Sequence, residues 1–151
     1  MLYKLTKIST DFEVDMEVQA MEIVITDWAL DSYLELKHNK QFPADDYRFT
    51  VRPDVLHLRT FPKPQKFANS KFWSPAELNG VRIAGGFKMK WHQLGDRRIQ
   101  LRLPIGMLES AFLFQAYVKT DPKHEVRHLA KFNFNLEQVR QNHYTERGRL
   151  S

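Results

Sequence analysis

Two runs in the middle of the chain alternate apolar and polar residues: Phe87-Lys88-Met89-Lys90-Trp91-His92 and Arg98-Ile99-Gln100-Leu101-Arg102-Leu103. A period of two predicts strands with one face in a core and one in water. A three-residue loop, Leu94-Gly95-Asp96, would join them as a hairpin, with Gly95 or Asp96 taking the positive φ such a loop requires. That register pairs His92 with Arg98, Lys90 with Gln100 and Lys88 with Arg102. Phe87, Met89, Trp91, Ile99, Leu101 and Leu103 then share the buried face. The other face collects Lys88, Lys90, His92, Arg98, Gln100 and Arg102. Like charges opposite one another on a sheet repel, so folding does not reward such a row, whereas a polyanion laid across it would. Nucleic acid is the first partner this pattern suggests.

The same patterning orders the rest of the chain. Glu22-Ile23-Val24-Ile25 is a strand, and Thr26 and Asp27 are helix caps ahead of helical apolar spacing from Trp28 to about Lys37. His38 to Asp46 is polar and contains Pro43, hence a loop. Tyr47 to Phe61 fits neither period, and Pro53 interrupts it; the expectation is an extended piece up to Arg52 and a short helix or strand from Asp54 to Thr60. Phe61 to Glu77, with Pro62, Pro64 and Pro75, reads as a long loop anchored by Phe67, Phe72 and Trp73. Gly85-Gly86 marks a bulge or a close backbone approach. A third strand is expected over Ala111 to Lys119, with Phe112, Phe114, Ala116 and Val118 on one face and Leu113, Gln115, Tyr117 and Lys119 on the other. Asp121 caps a final helix with Pro122 in its first turn and an apolar stripe from Val126 to Val139. The predicted class is α+β: a curved antiparallel sheet, its meander over residues 81–119, with the N- and C-terminal helices packed on one face. Residues 1–20 are expected to be an added arm, a peripheral strand or a start-site extension, and 142–151 a loose tail.

Composition narrows the picture moderately. The chain has 151 residues, enough for a single domain over residues 1–151 with its own core, and 42% of them are hydrophobic, with eleven Phe. The net charge of +5 and pI near 9.5 permit nucleic-acid binding without demanding it. Cysteine is absent, which removes disulfides, thiol nucleophiles and cysteine-bound zinc, and suits a reducing cytoplasm. No apolar run reaches membrane-spanning length, and Asp11, Glu13, Asp15 and Glu17 rule out a signal peptide near the N-terminus. His124 and His128 stand one helical turn apart, but no third ligand presents itself, so neither a metal nor another cofactor is expected. No phosphate-cradling glycine loop or Ser/His/Asp arrangement stands out.

One resemblance bears on function. Phe112 to Lys131 resembles the end of the RelE/HigB-type toxins of bacterial toxin–antitoxin pairs: an apolar strand, an aromatic, a lysine, then Pro-x-x-Glu opening a helix with alanine about a turn later. Here those positions are Tyr117, Lys119, Pro122, Glu125 and Ala130. The basic meander and the early strand and helix follow the same order. The chain departs from the family in being longer, in placing the alanine one position later, and in carrying the segment from Tyr47 to Glu77.

The resemblance implies a cytoplasmic endoribonuclease that cleaves RNA, including ribosome-bound mRNA, without a metal, and is neutralised by a cognate antitoxin protein. In such chemistry the 2′-hydroxyl attacks the adjacent phosphorus, cations stabilise the phosphoryl oxygens, and a general acid or base moves protons. The expected catalytic set is His92, Arg98, Arg102 and Lys119, with Lys88, Lys90, Gln100 and Tyr117 binding the nucleic acid. His92 is chosen because its ordinary pKa suits proton transfer near neutrality. The alternative is a binding module, in which the same face holds nucleic acid or an acidic protein without chemistry.

Overall fold

A computed structural model describes residues 20–151, so the expected N-terminal arm lies outside the described residues save for Ala20. The chain is mixed α+β, built on one seven-stranded, mostly antiparallel sheet. Strand β1 (Ile23–Thr26) leads directly into helix α1 (Asp27–His38), and Thr26 caps that helix by accepting from the Ala29 amide. A run of helical turns follows: α2 (Ala44–Asp46), a π turn (Tyr47–Val51), α3 (Arg52–Leu56) and a 3₁₀ turn (His57–Thr60). The extended piece expected up to Arg52 is therefore helical. Pro53 would clash with the carbonyl four residues back in an ordinary α-helix, and the π turn before it relieves that conflict: the Arg52 amide donates to Tyr47, five residues back.

The expected loop from Phe61 to Glu77 contains a 3₁₀ turn (Gln65–Ala68) and then strand β2 (Trp73–Leu78). Pro75 is tolerated there because β2 pairs only with β3 and lies at the sheet edge. Strand β3 (Val81–Gln93) and strand β4 (Ile99–Met107) form the long hairpin. Its faces are as the alternation predicts: Met89, Trp91, Leu101 and Leu103 are buried together, with Phe87 and Ile99 packed against them.

The register, however, is two residues off the expected one, placing Lys90 opposite Arg102 and Lys88 opposite Pro104. The turn explains the shift. Gly95 and Asp96 both adopt left-handed backbone, and an isolated Leu94–Ile99 bridge closes them. Between that bridge and the Trp91–Leu101 pair, β3 carries one residue more than β4, a bulge at His92 and Gln93. Its consequence is visible at Leu94, which has an even number yet is buried in the core with the odd-numbered residues.

The third strand is also not continuous. β5 (Ala111–Leu113) pairs with the end of β4, and β6 (Tyr117–Val118) with its start. Pro104 lies between the two paired stretches and has no N–H to offer the ladder. The register slips by one across the gap, so Tyr117 joins Phe112 and Phe114 on one face rather than opposing them.

Helix α4 (Pro122–Arg140), capped by Asp121 as expected, buries Leu129, Phe132, Leu136 and Val139. Those four side chains contribute roughly 6–12 kcal/mol of gross hydrophobic stabilisation. They pack on the sheet face opposite to the one that Ala29 and Leu36 of α1 help cover, and only Trp28 at the start of α1 reaches their side, where it stacks on Phe114. Gly86 and Gly106 permit the approach: a Cβ on Gly106 would stand 2.6 Å from Leu136, and one on Gly86 2.8 Å from Phe132. The expected loose tail is a strand, β7 (Glu146–Arg149), antiparallel to β1, with Arg147 paired to Asp27 at 2.7 Å. It completes the order β2-β3-β4-β5-β1-β7, in which β5 and β1 run parallel.

Candidate functional site

The even-numbered face of the hairpin divides into two parts. Where both strands carry glycine, α4 lies on it. Where they carry Lys88, Lys90 and Arg102, α4 reaches it only through its first two turns, with Glu125 and His128, and β6 and the residue after it add Tyr117 and Lys119. Across the ladder Lys90 faces Arg102, and Arg102 faces Tyr117, so three of these side chains form a row over β3, β4 and β6.

Arg102 sits on the central strand and is 3% exposed. Its guanidinium donates to the carbonyls of Trp91 and Leu101 at 3.3 and 3.2 Å and to Gln100 Oε1 at 2.9 Å. Burial lowers its pKa from the usual guanidinium value, opposed by Glu125 and Tyr117. Lys90 is half-buried; burial first, then the charges of Lys88, Arg102 and Lys119, push its ammonium below the ordinary lysine range. Lys119 is exposed at the rim, and its amide is tied to the Gln100 carbonyl.

One carboxylate answers these cations. Glu125 accepts a 2.7 Å hydrogen bond from the buried Tyr117 hydroxyl and lies 3.6 Å from Lys88 Nζ. Burial alone would raise its pKa, but the Tyr117 hydrogen bond and the charges of Lys88, Lys119 and Arg102 outweigh it and hold the carboxyl below its usual range. Burial, and after it the same contact, drive the Tyr117 phenol well above its ordinary value. His128 stacks on the Tyr117 ring at 4.4 Å, and its Nε2 is 3.3 Å from that of His124. Burial, then His124, Lys131 and Arg127, lower the His128 imidazole to about 4. The two histidines gain no third metal-ligating side chain among the described residues.

Of the residues expected to form a site, Lys88, Lys90, Gln100, Arg102, Tyr117 and Lys119 come together. His92 and Arg98 do not join the cluster. His92 lies at the β3 bulge, exposed, with Nε2 on the carbonyl of Lys71, and Arg98 is exposed beyond the turn. The residue that the sequence reasoning missed is Glu125, read there only as part of a helix opening. A signal existed: with Asp121 as the cap, the reciprocal capping position is His124, so Glu125 has no capping duty and its charge is available to the sheet.

Compared with known proteins, the chain matches no family model, no curated protein and no solved structure. Among the described residues, no helix is long and apolar enough to cross a membrane.

Proposed function

We propose that this chain is an RNA-binding endoribonuclease of the toxin type, seating a phosphodiester on the cluster of Lys88, Lys90, Arg102 and Lys119. The observation that carries the reading is the charge imbalance: four cations gather around one carboxylate, and their repulsion adds to the effect of burial in depressing the Lys90 ammonium. A bound phosphate relieves that repulsion. Lys90 and Lys119 bind at the open rim, while Arg102, held rigid by two carbonyls and Gln100, fixes the positive field beneath them.

In the chemistry proposed, the 2′-oxygen forms a bond to the adjacent phosphorus and the bond to the 5′-oxygen breaks, leaving a cyclic phosphate and a 5′-hydroxyl. Glu125, ionised and oriented by Tyr117, takes the 2′ proton in place of His92, the departing 5′-oxygen takes a proton from solvent, and the cations stabilise charge on the phosphoryl oxygens. The reaction needs no metal because the substrate supplies its own nucleophile.

A second reading is favoured by how much of the positive charge is already engaged. Arg102 bonds to the backbone and Lys88 to Glu125, as suits a module that binds RNA without cleaving it. One experiment separates the two. Purified protein is incubated with RNA, and with ribosomes and mRNA, in EDTA, and induced expression in bacteria is scored for growth arrest. Cleavage ending in cyclic phosphate, abolished by Lys90→Ala with Lys119→Ala, supports the enzyme. Salt-dependent binding with intact RNA supports the module. Neither cleavage nor binding refutes both.

A further inference from the structure

On the opposite side of the sheet from the cationic cluster, a cavity of about 1110 Å³ opens between α1, the helical turns from Phe42 to Val55 and the sheet. Its walls are core side chains, among them Phe42, Val51, Val55, Trp91, Leu101 and Leu103. Apolar walls do not hold water well, and the pocket is open on one side, so hydrocarbon entering it gains free energy in proportion to the apolar area it removes from water. Its volume is at the upper end of pockets that enclose a small organic ligand. An occupant matched to these walls is mostly hydrocarbon.

The charged residues of the lining specify the other end of that occupant. Lys37, Lys40, Arg48 and Arg52 all contribute to it, against Asp96 as the one acid. All four cations are exposed, so they stand at the mouth rather than in the core. Tyr47, a further lining residue, has a buried hydroxyl with no hydrogen-bond partner among the described residues, and burial, then Tyr33, pushes its pKa up to about 12. A buried donor of this kind is costly until an acceptor reaches it. From an apolar interior, a cationic mouth and an unsatisfied hydroxyl on a lining residue, we infer that the cavity binds a single-chain carboxylate amphiphile of the fatty-acid type, tail inward and carboxylate at the Lys37–Arg52 rim. The inference is independent of RNA binding, which uses the other face.

The test uses the full chain and dodecanoate below its micellar concentration, followed by calorimetry. Saturable binding at one site is expected. Bromine on the tail end should quench Trp91, which lines the cavity, whereas Trp28 and Trp73 do not line it. Trp91→Phe should accordingly remove most of the quenching. Reversing two exposed rim charges, Lys40→Glu with Arg48→Glu, should weaken dodecanoate about tenfold and leave dodecanol unchanged, as expected for two part-screened ion pairs. Absence of saturable binding, quenching that survives Trp91→Phe, or equal affinity for dodecanol and dodecanoate would each overturn the proposal.

Discussion

Glu125→Gln keeps the shape of the side chain and removes its charge, and the cluster around it predicts two effects of opposite sign. The first is on stability. The carboxylate accepts from Tyr117 at 2.7 Å, lies 3.6 Å from Lys88, and is a counter-charge for Arg102, which is 3% exposed. Hydrogen bonds to charged groups are worth about 1.5–3 kcal/mol, and the lower half applies because Lys88 and Glu125 retain 17% and 15% side-chain exposure. A loss of about 2 kcal/mol lowers Tm by about 4–8 °C for a domain of this size. The second effect is on RNA. A phosphate seated about 6 Å from the carboxylate is repelled by roughly 0.7 kcal/mol if the path is water-like and roughly 2.8 kcal/mol if it is protein-like. Removing the charge should therefore tighten binding by roughly threefold to a hundredfold at low salt. The salt slope stays the same, because no cation is lost. Fluorescence anisotropy with a short labelled RNA reads the affinity, and a melting curve reads the stability. Cleavage under single-turnover conditions should fall by about 10²–10⁴ if Glu125 takes the proton. A variant that is less stable but binds RNA more weakly than the parent would refute the seating of phosphate beside Glu125.

Three further outcomes are expected. Burial and neighbouring cations hold His128 at about 4 rather than its ordinary 6.5, so the fold favours the neutral ring; its contribution is complete above about pH 6.5 and is lost as pH falls toward 4. His128→Phe, which retains an aromatic ring against Tyr117, should flatten that stretch of a plot of Tm against pH, and an unchanged slope would contradict the assignment. Leu136→Ala removes a fully buried side chain seated over Gly106 and should cost about 2–5 kcal/mol in chemical denaturation, detaching α4 from the sheet. His92→Gln should leave RNA cleavage within about threefold, because a group outside the cluster supplies none of the proton-transfer advantage, and near-complete loss of cleavage would restore His92 to the site.

Alternation alone located the buried face of the hairpin, because a half-buried strand exposes its period directly in Met89, Trp91, Leu101 and Leu103. What alternation does not encode is the count of residues in a turn. The turn closed by Leu94 and Ile99, together with the one-residue bulge at His92 and Gln93, shifted the register by two, and the slip around Pro104 carried Tyr117 to the face of Phe112 and Phe114. Both are breaks in period that depend on tertiary pairing. The helical turns from Ala44 to Thr60 were hidden by Pro53, whose usual effect is to end a helix and whose conflict here is absorbed by a π turn. β2 was hidden by Pro75, admissible only because β2 proved to be an edge strand. Most of the candidate site was legible as a set of basic positions. Its organising carboxylate was not, since Glu125 lies on a separate element and meets Lys88 only through the docking of α4.

The placement of β1 sets a condition on how the protein is made. This early strand pairs with nothing near it in sequence. Thr26 bonds to the Leu113 carbonyl, 87 residues away, and Asp27 pairs with Arg147, 120 residues away. At ribosomal speeds of about 5–20 residues per second, the partner of Asp27 emerges roughly 6–24 s after Asp27 itself. The strand's first partner, β5, lies 87 residues on and emerges roughly 4–17 s after it, and until then Ile23, Val24 and Ile25 have no sheet to join. The nascent chain therefore gains its complete sheet late in synthesis, and chaperones have a defined window in which an apolar strand edge is on offer.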